Sequence, residues 1–305
     1  MFCPEPYFVQ HHYMDEPSFQ RIAAEHQFHI YMICRKPRIT FDRSSVTYGE
    51  GTVSGKFVVH KRGERIDVPF TSPNSIRPPE RDIVCEYPFT EVTVVDAQGQ
   101  QVNRMLASDF FRGLRDCFHD PSQIEQLDME VLYVGQAYGS DGNRTAPDRL
   151  RAHETLLAIH SQAAARSPDD EIWIGMLAFE APWLIMSIDG REETATTLEE
   201  DAEHAGVLMS DPVSERQRIC FAEAALIRYF QPEYNSMFKN VFPSPAHESY
   251  RECYEADLNA VSVELNFEEF PLRVYSPTVA ADFVHYARFA LNSPELRRSM
   301  FEDLV

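Results

Sequence analysis

No apolar run in this chain approaches the roughly 20 residues that a membrane-spanning helix needs. Nor does a basic stretch followed by an apolar one open it, so neither a transmembrane helix nor a secretory signal is expected, and the expected location is the cytoplasm. Positive charge is short: 28 Lys and Arg stand against 48 Asp and Glu, a formal charge of -20. That balance repels polyanions at long range and counts against a protein that coats nucleic acid non-specifically, while leaving room for a local basic site. Lysine is scarcest, confined to Lys36, Lys56, Lys61 and Lys239, so arginine supplies nearly every cation. Its planar donor fork suits phosphate and carboxylate. Cys3, Cys34, Cys85, Cys117, Cys220 and Cys253 form no C-x-x-C pair, which argues against a zinc site or redox dithiol and fits reduced, mostly buried thiols. G-x-x-x-x-G-K-[ST], G-x-S-x-G and H-E-x-x-H are all missing, which excludes a Walker phosphate loop, a hydrolase nucleophile elbow and a zincin helix. There is no internal repeat and no low-complexity segment.

What is present is a core-forming hydrophobic content of 44% in 305 residues, enough for one large domain or two ordinary ones. The first hundred residues read mostly as β: FHIYMICRKPRITF, TVSGKFVVHKRG, ERIDVPF and FTEVTVVDAQG are rich in β-branched and aromatic residues and are separated by turn residues. LASDFFRGLRDCF predicts a helix with Ser108 or Asp109 near its N-cap, and HDPSQ, from His119, is a plausible boundary. The second half alternates. EVLYVG and EIWIGMLAF read as strands, with LIMSIDG as another. Pro147 opens a helix running through DRLRAHETLLAIHSQAAAR, and Ser214 opens a capping-box helix through RICFAEAALIRYF that stops at QPEYN. REETATTLEEDAEH is a solvated acidic excursion, NAVSVELN a late strand and PELRRSMFEDLV a terminal helix. The pattern predicts an α+β protein: a β-rich N-terminal domain over 1–120 that selects substrate or partners, or supports a homo-oligomer, followed by a mixed α/β domain over 121–305.

A few residues break local rules. Glu223 shares a helix face with Ile219, Leu226, Ile227 and Phe230; a carboxylate there must be paired, protonated, metal-bound or at an edge reaching solvent. Arg149 and His153 lie one helical turn apart and so point the same way; His153 neighbours Leu150, Leu156 and Leu157, where a satisfied core histidine is the more ordinary reading, as a solvated surface charge is for Arg149. Tyr133 faces away from Leu132 and Val134 by period two, and Gly135 lets the backbone leave the strand.

The order of these pieces carries more than any one of them. A strand with Tyr133-Val134-Gly135 leads to Arg149-Leu150-Arg151-Ala152-His153, and far along the chain Glu223-Ala-Ala-Leu-Ile leads to Pro232-x-x-Asn235. Over about residues 128 to 240 this resembles the GIY-YIG nuclease superfamily. The resemblance implies a GIY-YIG-like fold for the second domain, a divalent-metal-dependent phosphodiesterase, most simply a DNA endonuclease of restriction, repair or phage-defence type, and Mg²⁺ or Mn²⁺ as cofactor. It implies Tyr133, Arg149, His153 and Glu223 as catalytic residues, with Glu223 the metal ligand and Asn235 a structural support. Arg144 and Arg151 would be substrate contacts, within a patch shared with Arg216, Arg218 and Arg228. A tyrosine hydroxyl orients or deprotonates the attacking water, which requires nearby Arg or metal charge to lower its pKa. The sequence departs from the pattern in lacking a G-I-Y strand shortly before Tyr133. The nearest textual match is His29-Ile30-Tyr31-Met32-Ile33, about a hundred residues upstream; were Tyr31 to pair beside Tyr133, the β-rich segment would be an insertion within the sheet. The alternative is a nuclease-like fold without its first tyrosine, serving as a nucleic-acid- or protein-binding scaffold.

Overall fold

The computed structural model describes residues 2–3, 6–73, 80–138, 146–150, 153–179, 213–240, 260–268, 270 and 272–290, with isolated positions between 197 and 206. LIMSIDG, nearly all of REETATTLEEDAEH, the helix expected at PELRRSMFEDLV, Arg144 and Arg151 lie outside the described residues.

The chain opens with short strands β1 (Phe2–Cys3) and β2 (Tyr7–Val9) and a helix α1 (Pro17–Glu25). The strand β3 (Ile30–Tyr48) follows and runs for 19 residues. The strand has three Ile, two Tyr and two Thr and no glycine, and it serves two sheets, changing from one to the other about Pro37. Its first part, Ile30–Pro37, is central to a large sheet; its later part pairs with β4 (Thr52–Lys61), which pairs in turn with β5 (Glu64–Pro73). The β4–β5 turn places Arg62 and Gly63 at φ 53° and 80°, the positive values that a two-residue hairpin loop needs. β6 (Arg81–Val84), β7 (Glu91–Asp96) and β8 (Gln101–Leu106) form a separate three-stranded sheet, followed by α2 (Ala107–Gly113). Leu106, and neither Ser108 nor Asp109, is the N-cap of α2. This segment encloses its own core, in which Phe41, Phe57, Phe70 and Phe111 are essentially fully buried and Phe57 meets Phe111 edge-on at 5.1 Å.

Next come β9 (Met129–Gln136), α3 (Ala146–Leu150), α4 (Glu154–Arg166) and β10 (Asp170–Leu177). The helix α5 (Glu215–Phe230) precedes β11 (Ala260–Asn266), β12 (Val274–Ser276), β13 (Val279–Asp282) and β14 (Val284–Ala290). The central sheet has the order β13-β12-β9-β3-β10-β2, with β4 and β5 continuing from β3. β3 lies antiparallel to both β9 and β10. One face packs on α5 and on β11 of the small sheet β1-β11-β14; the other packs on Phe19 of α1, Leu150 of α3 and Leu156 and Ile159 of α4. The protein is thus α+β, as expected.

The boundary expected near residue 120 is corrected. β2 and β3, from the first 48 residues, sit in the same sheet as β9 and β10, so the division into 1–120 and 121–305 cuts through the central core. What stands apart is the stretch from the later half of β3 to about Leu127, inserted between two neighbouring strands. Among the described residues, no helix is long and apolar enough to cross a membrane. Cys3 and Cys34 are buried, and Cys85, Cys117 and Cys220 are partly buried; all five are free thiols.

Candidate active site

The register of β3 against β9 places Ile33 opposite Tyr133 and Tyr31 opposite Gly135. Residues opposite one another, or two apart, share a face of a sheet, so the two tyrosines project to the same side. Their ring centroids are 6.1 Å apart. The Tyr31 ring lies directly across Gly135: a Cβ there would meet Tyr31 Oη at 2.6 Å and Tyr133 Cε1 at 2.7 Å. Gly135 is therefore required for close approach of a side chain, and not, as the strand-loop pattern suggests, for the exit of the backbone. A bulge between Ile33 and Cys34 on the β3 side leaves Leu132 as the extra residue of β9. Leu132 consequently packs on the same face as Tyr133, a departure from strict period two, while Val134 faces the opposite core.

The Pro232-x-x-Asn235 segment completes this strand. β12 covers β9 only at Met129 and Glu130. Beyond it, the Asn235 side chain takes the place of a neighbouring strand: Val134 N donates to Asn235 Oδ1 (2.9 Å) and Asn235 Nδ2 donates to Val134 O (2.8 Å). An amide side chain offers both functions of a peptide unit, which is why Asn fits. Tyr234 N donates to the carbonyl of the bulged Leu132 at 3.0 Å.

The helix expected to run unbroken from Pro147 is interrupted at His153. α3 is described as far as Leu150, and His153 is the N-cap of α4, in extended conformation, with Nδ1 accepting from Leu156 N at 3.2 Å. His153 and Arg149 reach the same place from two helices and not from one helical face. The cap also sets the tautomer. A backbone N–H can only donate, so Nδ1 bears the lone pair and the neutral ring carries its proton on Nε2. Nε2 lies 3.0 Å from Tyr31 Oη and donates to it. Tyr31 stands beside Tyr133, whose pKa burial raises and the Tyr31 hydroxyl helps to lower. Tyr31 is fully buried and Tyr133 only partly, so Tyr133 holds the accessible end of the chain His153–Tyr31–Tyr133.

Burial dominates both tyrosines and raises their pKa; Arg149, through its charge and a hydrogen bond, opposes the rise without cancelling it. Both hydroxyls are accordingly protonated at neutral pH, and the lowering asked of nearby charge by the deprotonating role does not occur in the protein alone. Arg149 Nε is itself buried and has no hydrogen-bond partner among the described residues.

Glu223 comes from the opposite side, on α5. Its helix begins after Ser214 without the side-chain cap that the S-E-R-Q pattern suggests. Burial pushes the Glu223 carboxyl up to about 7, against the influence of Arg149 and of the backbone and side chain of Gln136, which all favour its charged form. Glu223 in turn raises Tyr31 and Tyr133, so the five groups share one electrostatic neighbourhood. Among the described residues, no group of three or more His, Cys, Asp or Glu is arranged to hold a metal. Glu223 is a hard oxygen donor with a burial cost that Arg149 offsets only in part. It suits a divalent cation that takes one carboxylate and completes its shell with phosphate and water.

Tyr31, Tyr133, Arg149, His153 and Glu223 thus converge, with Asn235 behind them. Arg144 and Arg151 are not among the described residues, and Arg228 donates to the Lys239 carbonyl beside α5. Gln136 was missed by sequence reasoning. Its amide also meets Cys220 Sγ, at 3.4 Å, and nothing in its local sequence marks it. His29, in place of the first glycine of the G-I-Y pattern, is buried with both ring nitrogens lacking partners among the described residues. Searches of family models, curated proteins and solved structures found no match to this chain.

Proposed function

We propose that the protein is a divalent-metal-dependent phosphodiesterase of GIY-YIG type, acting on DNA as an endonuclease in restriction, repair or phage defence. The observation that carries this reading is the pairing of Tyr31 beside Tyr133 across Gly135, with His153 bonded to Tyr31 and with Arg149 and Glu223 within electrostatic reach of both tyrosines. A missing first tyrosine and the net charge of -20 both speak for a binding scaffold; Tyr31 beside Tyr133 answers the first and leaves the second standing.

Each residue has a role that its environment suits. Arg149, with a buried and unpartnered Nε, binds a phosphodiester oxygen and offsets charge that builds there. Tyr133, at the open end of the His153–Tyr31–Tyr133 chain, orients the attacking water by its hydroxyl; with a raised pKa it acts as a hydrogen-bonding group and not as a phenolate. His153 fixes Tyr31, and Tyr31 fixes Tyr133. Glu223 would hold Mg²⁺ or Mn²⁺, which when bound supplies positive charge to the scissile phosphate. Its carboxyl ionises near pH 7, so activity should rise through neutrality at fixed limiting metal.

The test is cleavage of supercoiled plasmid and of labelled duplex and single-stranded DNA with Mg²⁺ or Mn²⁺. Wild type should cleave, while Glu223→Ala and Arg149→Ala should each lose at least about 100-fold, the scale of removing one transition-state contact. Equal rates in all three would remove these residues from the chemistry. Metal binding by calorimetry without cleavage of any DNA would favour the scaffold.

A further inference from the structure

His29 is a buried polar side chain to which the proposed reaction gives no task. It is 7% exposed, and neither Nδ1 nor Nε2 has a hydrogen-bond partner among the described residues. An unsatisfied buried polar atom costs about 1–3 kcal/mol, and a histidine kept for packing alone ordinarily bonds at least one ring nitrogen. The G-I-Y pattern has glycine at this position, so the resemblance assigns it no role.

Hydrogen bonds and a ring contact fix where it stands. Ile30 pairs with Gln136 and Tyr31 with Gly135, and the ladder continues past them, where Ala137 N donates to His29 O at 2.8 Å. The His29 ring meets Tyr138 edge-on, with centroids 5.1 Å apart. Tyr138 Oη donates to Glu215 Oε2, in the first turn of α5, at 3.1 Å. Glu223 reaches the same end of β9 from α5: the backbone N–H and side-chain amide of Gln136 both bond to its carboxylate. His29 and Glu223 are thus tied to consecutive residues, Ala137 and Gln136, and Tyr138 links the His29 ring to the helix that carries Glu223. The helix α3, which carries Arg149, is held there too, by Ala146 N donating to Phe28 O at 2.7 Å.

A neutral imidazole with an unbonded nitrogen offers a lone pair, which is what a divalent cation takes from histidine. Glu223 alone gives such a cation one protein ligand. A second leaves the rest of the shell to water and phosphate. Ligand type then decides which ion: oxygen-only shells suit Mg²⁺, whereas an imidazole adds affinity for first-row transition ions, more for Co²⁺ than for Mn²⁺.

We propose that His29 is a second protein ligand of the cation held by Glu223, and that this imidazole–carboxylate pair takes Mn²⁺ or Co²⁺ in preference to Mg²⁺. The inference rests on the phosphodiesterase reading. The experiment is calorimetric titration of the full chain, without DNA, with MnCl₂, CoCl₂ and MgCl₂. Wild type should bind Mn²⁺ and Co²⁺ more tightly than Mg²⁺. His29→Ala should lose at least about 10-fold in affinity for both transition ions, the lower end of what losing an outer-shell partner costs, and should change little for Mg²⁺. His29→Asp, which offers oxygen in place of nitrogen, should restore binding with the order moved toward Mg²⁺, a reversal that a merely structural histidine would not produce. Circular dichroism and thermal unfolding check that each variant folds. Unchanged Mn²⁺ and Co²⁺ affinity in folded His29→Ala, with Glu223→Ala still losing both, overturns this proposal alone. So does weaker DNA binding by His29→Ala at unaltered metal affinity, which places His29 on the phosphate. No binding of any of the three ions by wild type, or binding that Glu223→Ala leaves intact, overturns the phosphodiesterase reading with it.

Discussion

At the scale of single residues, the site is governed by competition between burial and charge, and Glu223 shows which wins. An ordinary glutamate ionises near 4.5, whereas this one ionises near 7 because desolvation outweighs Arg149 and Gln136. Between those values the folded protein holds a proton that the unfolded chain has released. Stability contributed by this group is therefore highest at low pH, falls as pH rises from about 4.5 to 7, and is level above. The full effect is on the order of 3 kcal/mol. Glu223→Gln should abolish this decline, so urea unfolding at pH 5 and pH 8 should show the variant gaining on wild type as pH rises; parallel curves would show that the carboxyl is not held in low dielectric. Gly135 offers a second prediction. The methyl group of Gly135→Ala would stand 2.6 Å from the hydroxyl of Tyr31, which is fully buried. The expected result is a loss of about 1–3 kcal/mol of stability from overpacking and a larger fractional loss of cleavage. An unchanged Tyr31 hydroxyl environment by NMR would contradict it.

At the scale of elements, β9 depends on a residue a hundred positions away. Asn235 supplies a donor and an acceptor to Val134 on an edge that β12 leaves open. Asn235→Ala leaves a buried N–H and C=O unpaired and should cost about 2–4 kcal/mol, with hydrogen exchange at Val134 accelerated selectively. Asn235→Asp keeps the acceptor but turns a carboxylate toward the Val134 carbonyl, and should be at least as harmful. Element-level reading of the sequence succeeded where periodicity was long and unambiguous: β4, β5, β7, β10 and α5 stand about where β-branched runs and the 3.6-residue period put them. It failed at His153, because a helix break that a histidine caps looks like continuous helix when only apolar spacing is considered. It also failed at Leu132, since a bulge is a property of two strands and not of one.

At the scale of the whole molecule, the strand that completes the site is drawn from before the insertion. A fragment beginning at residue 121 lacks β2 and β3, and with them the antiparallel partner of both β9 and β10. It should show no cooperative unfolding transition, whereas the full chain should unfold cooperatively; a stable, native-like 121–305 fragment by circular dichroism and NMR would contradict the sheet order. The inserted segment, with its own aromatic core, can be excised with least damage to the central sheet, because it leaves from β3 and returns just before β9, its neighbour in that sheet.

The residues of the site were legible from sequence because their chemistry is unusual for their places: a glutamate on an apolar helix face, a glycine after a strand tyrosine, an arginine and histidine together. Those are local incompatibilities, and a sequence displays them. Which tyrosine stands beside Tyr133 was decided only in three dimensions. Tyr31 lies about a hundred residues from its partner, and strand pairing is a matter of register and of cores closing on both faces, neither of which is written in the order of residues. The same holds for the state of the site. Burial that raises Glu223 and both tyrosines, and a cap that sets the His153 tautomer, are produced by packing from α4, α5 and the sheet, and they exist only once the chain has folded.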